Sequence, residues 1–320
     1  MFGIVRRTST NPNTGFLKNV LKNPKFHMCE ADLLDQSSIV KVFEKVSGFD
    51  SIEVYNLAAQ SHVATSFACP RSTVEINSIG TLNLLESIKQ LGLIPKVKYY
   101  QASTSEMFGK VQEVPQKETT VFWPRSPYGV SKLCAHWLVK NYRESFGLFA
   151  CCGILFNHES PRRGDMFVTQ KIVKGLSAVF KGEIPHLEIG NLDARRDWGH
   201  ARDYVRGMWM MLQHSEPDEY VVSMNEQHSV RDFIETVLTL MGKSFEWHGE
   251  GVSEMCLVDG LPVVKVSEEF YRPCEVETLL GDSTKMRETL GWVPEYDFLG
   301  LVRDMVESTN GGSGLFVWSS

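Results

Sequence analysis

Short apolar runs alternating with longer helical patterns constrain this chain more than any other feature. Phe2–Val5, Lys25–Cys29, Ser51–Leu57, Val97–Ser103 and Phe149–Leu155 read as strands. Between them lie helical patterns at Ser37–Val46, Thr73–Leu91 and Pro127–Phe146, with Ser37 as an N-cap and Gly92 closing the second. Strands joined by helices of this length require right-handed crossovers, and therefore a parallel sheet. After His158 the character changes. Ser160-Pro161-Arg162-Arg163-Gly164 is a basic turn, followed by helical patterns at Phe167–Phe180, Asp203–Gln213, Val230–Met241, Ser283–Leu290 and Leu299–Ser308. Strands are expected at His186–Ile189 and Tyr220–Met224, and Gly249–Val266 reads as irregular or β. Residues 310–320 are Gly/Ser-rich and are expected to be disordered.

The 320 residues are 42% hydrophobic, enough for a large core. A net charge of −6 argues against general affinity for nucleic acid or anionic membrane, while leaving room for a local basic pocket. The seven cysteines include no C-x-x-C pair, so zinc and redox motifs are not expected, and apolar surroundings at Cys134, Cys151 and Cys152 suggest buried free thiols in a reducing compartment. No apolar run reaches the roughly 18 residues of a membrane span. A cytoplasmic protein is expected.

Four constellations carry chemistry. Tyr128 and Lys132 are four apart on a helical pattern, hence one turn apart on one face. An ammonium beside a phenol favours the phenolate, and such a pair can take a proton from a sugar hydroxyl. The spacing alone also fits a solvated helix pair. Its setting favours catalysis: Thr104 and Glu106 follow the run Val97–Ser103, at the carboxyl end of a sheet strand, where open α/β sheets bind ligands. A Thr104 hydroxyl there can hold the substrate oxygen, and Glu106 can act as a separate acid or base.

The second constellation, Asn56-Leu57-Ala58-Ala59-Gln60-Ser61-His62-Val63, follows the strand run Ser51–Leu57. Its small side chains let a flat cofactor approach, or simply allow tight strand–helix packing. The third is Arg6-Arg7 after the first run. Arginines there suit the 2′-phosphate of NADP, or form an exposed basic turn. Asp32-Leu33 can contact an adenine or start a helix. The fourth is the basic set Arg162, Arg163, Lys171, Arg196 and Arg272, whose arginine forks suit a diphosphate; Glu275 either binds sugar hydroxyls or pairs with Arg272.

These residues resemble the GDP-mannose 4,6-dehydratase family of extended short-chain dehydrogenases. The resemblance rests on QASTSEMFGKVQEVPQKETT (101–120), PRSPYGVSKL (124–133), GILFNHESPRRG (153–164), GNLDARRDWGHARDYV (190–205), HSVRDF (228–233), YRPCEVETLLGD (271–282) and LGWVP (290–294), with NLAAQSHV (56–63) and FGIVRRTST (2–10) in the cofactor half. It implies an α/β fold with a Rossmann-like doubly wound parallel sheet and a smaller α/β substrate domain. Residues 1–160 would bind NADP, with 194–222 returning to that domain, while 161–193 and 223–309 would bind the nucleotide sugar.

The resemblance further implies conversion of GDP-mannose to GDP-4-keto-6-deoxymannose, the entry to GDP-fucose, with internal hydride transfer through NADP. Tyr128 would be the base, tuned by Lys132, with Thr104 holding the oxygen and Glu106 removing the carbon-5 proton. Arg6, Arg7, Asp32, Leu33, Leu57, Ala58, Ala59, Gln60, Ser61, Tyr128, Lys132, His158 and Arg163 would hold NADP. Asn157, Lys171, Arg196, Arg272 and Glu275 would hold the GDP-sugar. A homodimer or homotetramer is implied, with the Arg6-Arg7 loop beside a neighbouring subunit's cofactor.

The sequence departs from the family in three ways. No G-x-x-G-x-x-G turn precedes the first strand, so a central strand is expected to be missing, leaving exposed strand edges and impaired cofactor binding. Ser72 stands where a cofactor-contacting tyrosine is usual, and Gln170 replaces an arginine. The Tyr–Lys pair would also serve a nucleotide-sugar epimerase, which does not need Glu106. A non-catalytic subunit mixing with complete protomers is the third reading.

Overall fold

The computed structural model of the chain describes residues 1–6, 17–270 and 278–309. They form two compact units. The first holds residues 1–109, 122–154 and 208–220, and the second holds 110–121, 155–207 and 221 onward.

The first unit is the alternating part of the sequence. Its strands are β1 (Phe2–Val5), β2 (His27–Glu30), β3 (Ile52–Asn56), β4 (Val97–Thr104) and β5 (Phe149–Leu155). Helix α1 (Lys18–Leu21) lies between β1 and β2, and α2 (Gln36–Val46) follows β2. The expected N-cap at Ser37 is corrected to Asp35, whose carboxylate accepts from the Ser38 amide at 3.2 Å. The helix expected over 73–91 is present and starts earlier: it runs without a break from α4 (Pro70–Val74) through a π-helical turn (Glu75–Ile79) into α5 (Gly80–Gln90), and a separate α3 (Val63–Ala68) precedes it. Pro70 explains one boundary, because proline starts a helix readily but cannot continue one. Gly92, at φ +65°, ends α5 as expected.

Parallel pairing joins β1 to β2 and β3 to β4. The larger sheet runs in the order β10-β5-β4-β3, where β10 is Glu219–Val222. Among the described residues β1 pairs only with β2 and β3 only with β4, so each keeps one open edge. Leu84, Leu85 and Ile88 of α5, Ile39 and Phe43 of α2, Val97 and Tyr99 of β4, and Ala150 and Cys152 of β5 form one core, joined by Val139 and Tyr142 of α6 (Pro127–Phe146). Leu85 and Ile88 are fully buried, each worth about 2–3 kcal/mol of transfer free energy. Phe2 packs against the same core, which ties β1 to it despite the open edge.

The second unit contains β6 (Asn157–Glu159), α7 (Val168–Phe180), β7 (Leu187–Ile189), β8 (Arg195–Arg196) and β9 (Trp198–His200). Helix α8 (Ala201–Gln213) begins in it. Then come β11 (His228–Ser229), α9 (Val230–Leu240), β12 (Glu246–His248), β13 (Met255–Val258), β14 (Leu261–Val266), β15 (Thr278–Leu279), α10 (Thr284–Leu290) and α11 (Phe298–Thr309). One sheet runs β12-β13-β14-β7 and another β11-β8-β15. The segment read as irregular or β is thus the hairpin β13–β14, turned by Asp259 and Gly260 at positive φ. Apolar faces of α7, α9 and α11 pack with the β7, β13 and β14 side chains into the second core. No helix among the described residues is long and apolar enough to cross a membrane. Residues 310–320, expected to be disordered, lie outside the described residues.

Candidate active site

The site in the first unit begins at the end of β4. This strand is buried along almost its whole length, so its carboxyl end is held rigidly. Thr104 keeps extended backbone, and a 3-10 turn then spans Ser105–Met107. The Thr104 hydroxyl oxygen accepts from the Glu106 amide at 3.3 Å, which fixes the turn carrying Glu106.

Facing it is the start of α6. Ser126 caps the helix, accepting from the Gly129 amide at 3.0 Å, and Pro127 occupies the first turn. Tyr128 and Lys132 follow on one face. Gly129 sets the approach: a Cβ there would stand 2.7 Å from the Glu106 carbonyl oxygen, closer than real Cβ contacts allow. Glycine therefore lets the helix seat on the Glu106 backbone, so the two elements carrying Thr104, Glu106, Tyr128 and Lys132 meet. Lys132 is only 4% exposed, has no ion-pair partner among the described residues, and is pushed down to about 8 by burial. At neutral pH it remains an ammonium, in a setting where charge acts strongly.

The loop after β3 is tied to this pair. Asn77, in the π turn, accepts from the Gln60 amide at 2.8 Å and donates to the Gln60 carbonyl at 3.1 Å. It also donates to Ser131 Oγ at 2.9 Å, and Ser131 Oγ donates to the Tyr128 carbonyl at 2.7 Å. One buried amide thus fixes the 57–61 loop relative to the Tyr128–Lys132 turn. Leu57 is 56% exposed, Ala58 and Ser61 are exposed, and Ala59 is half-buried. The buried Gln60 Oε1 has no hydrogen-bond partner. This open, apolar loop, an orphaned amide oxygen and an unpaired buried ammonium suit the nicotinamide end of a dinucleotide.

Asp32 turns the chain after β2, accepting from the Leu34 amide at 2.9 Å. Leu33 lies against Gly80, where a Cβ would come within 2.8 Å of its own Cβ, so its packing role is substantial. Arg6 is exposed after β1, while Arg7, Arg272 and Glu275 lie outside the described residues.

The remaining candidates lie in the second unit. Asn157 and His158 stand on β6, in parallel register with Trp198 and Gly199. The His158 ring stacks on Tyr204 at 4.8 Å, and burial lowers its pKa. Arg163 Nε lies 3.1 Å from Glu159 Oε2, and its guanidinium covers the Phe167 ring at 3.5 Å. Glu159 is buried and also accepts from the Thr169 hydroxyl at 2.6 Å. The Lys171 ammonium stands over Phe270 at 3.1 Å. Arg196, buried on β8, donates to the Arg195 carbonyl at 2.8 Å.

Sequence reasoning passed over Asn77 and Glu159. Both left a signal: asparagine is disfavoured inside a helical pattern, and Glu159 stands four residues before Arg163.

The fold is that of the Rossmann-type nucleotide-sugar dehydratases and epimerases. It matches the dTDP-glucose 4,6-dehydratase DesIV of Streptomyces venezuelae with NAD and TYD bound at TM-score 0.80, with 21% identity over 97% of this chain and 88% of that one. RMD from Pseudomonas aeruginosa complexed with NADPH gives TM-score 0.76 and 24% identity over 93% and 95%. Within that class the assignment is sharper. The sequence profile of the family described as GDP-mannose 4,6 dehydratase matches residues 1–305. The GDP-mannose 4,6 dehydratase of Homo sapiens is 49% identical over 314 residues, spanning 96% of this chain and 83% of that protein. The GDP-mannose 4,6-dehydratase of Vibrio cholerae serotype O1 is 48% identical over 96% of this chain and 86% of that one. The chain belongs to the GDP-mannose 4,6-dehydratase family.

Proposed function

We propose that this chain is a lyase that converts GDP-mannose to GDP-4-keto-6-deoxymannose. The observation carrying this reading is the seating of Gly129 on the Glu106 backbone, which joins a phenol–ammonium pair to a carboxylate on a neighbouring turn. Family membership supports the substrate.

Tyr128 accepts the proton of the sugar's 4-hydroxyl, the Lys132 ammonium stabilises the phenolate, and Thr104 donates to the same oxygen. Loss of hydride from carbon 4 leaves a ketone, which acidifies the proton on carbon 5. Glu106 takes that proton, and as a carboxylic acid it returns a proton to the hydroxyl leaving carbon 6 as water. NADP, when bound, would supply the hydride acceptor at carbon 4 and the donor at carbon 6, and the proton that Tyr128 took from the 4-hydroxyl balances the one that carbon 5 regains. Lys132, Gln60, Leu57, Ala58, Ala59 and Ser61 hold its nicotinamide half, Asp32, Leu33 and Arg6 its adenosine half, and His158 and Arg163 complete the set. Asn157, Lys171 and Arg196 hold the GDP-sugar, the Lys171 and Arg196 cations matching its diphosphate.

The first unit is read as the cofactor half and the second as the nucleotide-sugar half. A homo-oligomer is supported by Val130, Cys134 and Trp137, which form an exposed, largely apolar stripe along α6; Cys134, expected to be buried, stands on the outer face of the helix instead. A cytoplasmic location is supported by the buried free thiols Cys151, Cys152 and Cys256.

Incubation with GDP-mannose and NADP tests the reading. The expected product carries a 4-keto group and a 6-methyl carbon; recovery of an epimer would replace the dehydratase with an epimerase. NADP titration by calorimetry is read alongside. Absence of both binding and product would leave a non-catalytic subunit.

A further inference from the structure

His136 is a buried titratable group that the chemistry above does not use. It continues the four-residue step from Tyr128 and Lys132 along α6 and is only 3% exposed. Its Nδ1 lies 2.9 Å from Ser103 Oγ, and Ser103 immediately precedes Thr104. Its ring meets Phe122 edge-on at 5.6 Å, and Phe122 lies against Phe108 at 5.1 Å, two residues beyond Glu106. The segment 103–108, which carries both Thr104 and Glu106, therefore rests on one imidazole at both ends. It does so directly at Ser103 and through a single ring at Phe108. The helix supplying that imidazole also supplies Tyr128 and Lys132.

We propose that His136 is a positioning residue that sets the spacing between the Thr104–Glu106 segment and the Tyr128–Lys132 pair. This rests on the dehydratase reading for its consequence in turnover, but the geometry does not depend on it. Burial pushes the imidazole down to about 4; Lys140 and Arg143 act in the same direction and Glu219 opposes them. The ring is thus neutral at physiological pH and holds Ser103 without adding a charge behind the site. A packing role alone would need the ring but not the bond to Ser103, so the two are separable.

The test uses the full chain and the variants His136→Phe, His136→Gln, Ser103→Ala and the double variant His136→Phe/Ser103→Ala. His136→Phe keeps a ring and loses the hydrogen bond. It and Ser103→Ala are each expected to lower kcat about tenfold or more with KM for GDP-mannose within about twofold, the scale of a small misplacement of reacting groups. The double variant is expected to be no slower than the slower single, because both remove one contact. His136→Gln, which can still reach Ser103, is expected to recover part of the rate.

A second readout needs no turnover. The Tyr128 phenol midpoint is the phenolate absorbance present in wild type and missing in Tyr128→Phe. It is expected to move by about half a pH unit or more in both single variants, because Glu106 and Thr104 shift relative to it. If wild-type chain fails to convert GDP-mannose, the dehydratase reading falls, and the midpoint still decides the positioning role. An unmoved midpoint, or a His136→Phe kcat within twofold of wild type, overturns the proposal whatever happens to the melting temperature.

Discussion

The first turn of α6 touches the backbone of the residue whose carboxylate completes the proposed chemistry: a Cβ on Gly129 would stand 2.7 Å from the carbonyl oxygen of Glu106. A helix and a strand end are brought together there because one side chain is missing. Replacing Gly129 with alanine should force them apart. The expected cost is about 1–3 kcal/mol of stability, as for other overpacked positions, with kcat falling about tenfold or more. Urea unfolding and turnover measured together check this, and normal values of both would show that the contact relaxes freely.

Tyr128→Phe and Glu106→Gln should each lower dehydration by about 10²–10⁴-fold, the usual weight of a positioned acid or base. They should differ in where the reaction stops. Glu106→Gln should still oxidise carbon 4, visible as reduced-cofactor absorbance, whereas Tyr128→Phe should not. Normal turnover in either variant would remove its assigned role.

Lys132 gives a prediction in pH. Burial lowers it from 10.5 to about 8, so between those values the unfolded chain holds the proton and the folded chain has released it. Stability from this group therefore rises with pH across that window, and the penalty is fully present below about 8. Lys132→Met should make the cofactor-free protein more stable at pH 7, by up to about 3 kcal/mol. The advantage should shrink as pH rises towards 10.5. Denaturant titrations at pH 7 and pH 10 decide it; a pH-independent difference would mean that packing rather than charge is responsible.

Asn77→Ala removes three hydrogen bonds made by one buried side chain and strands the groups at the other ends. The expected loss is about 2–4 kcal/mol, together with weaker NADP binding, because the 57–61 loop loses its hold on the Tyr128–Lys132 turn. Asn77→Asp keeps the acceptor for the Gln60 amide and should retain part of the stability. Calorimetric NADP binding unchanged in Asn77→Ala would detach the clasp from the cofactor site.

How far these features could be read in advance depended on how far each signal reaches along the chain. Helix α6 was legible at both ends, since Ser126, Pro127 and the left-handed Gly147 mark its limits within a few residues of themselves. Strand β5 was equally clear from its apolar run. The helix expected over 73–91 was legible in its apolar periodicity, but the π turn within it was not, because one widened turn inside a continuous helix leaves no local composition signal. The cap of α2 moved from Ser37 to Asp35 because both residue types cap well and only the backbone geometry chooses between them.

The sequence by itself determined the alternation of strands and helices, the one-turn spacing of Tyr128 and Lys132, and the motifs that mark the family. These depend on residues that are neighbours in the chain. Only the tertiary structure decided that Gly129 seats on Glu106, that Lys132 is buried without a countercharge, that Asn77 clasps Gln60 and Ser131, and that His136 holds Ser103. Each of those pairs residues from separate elements. Distance and solvent exclusion across a packed core are properties of the assembled chain, and no local pattern encodes them.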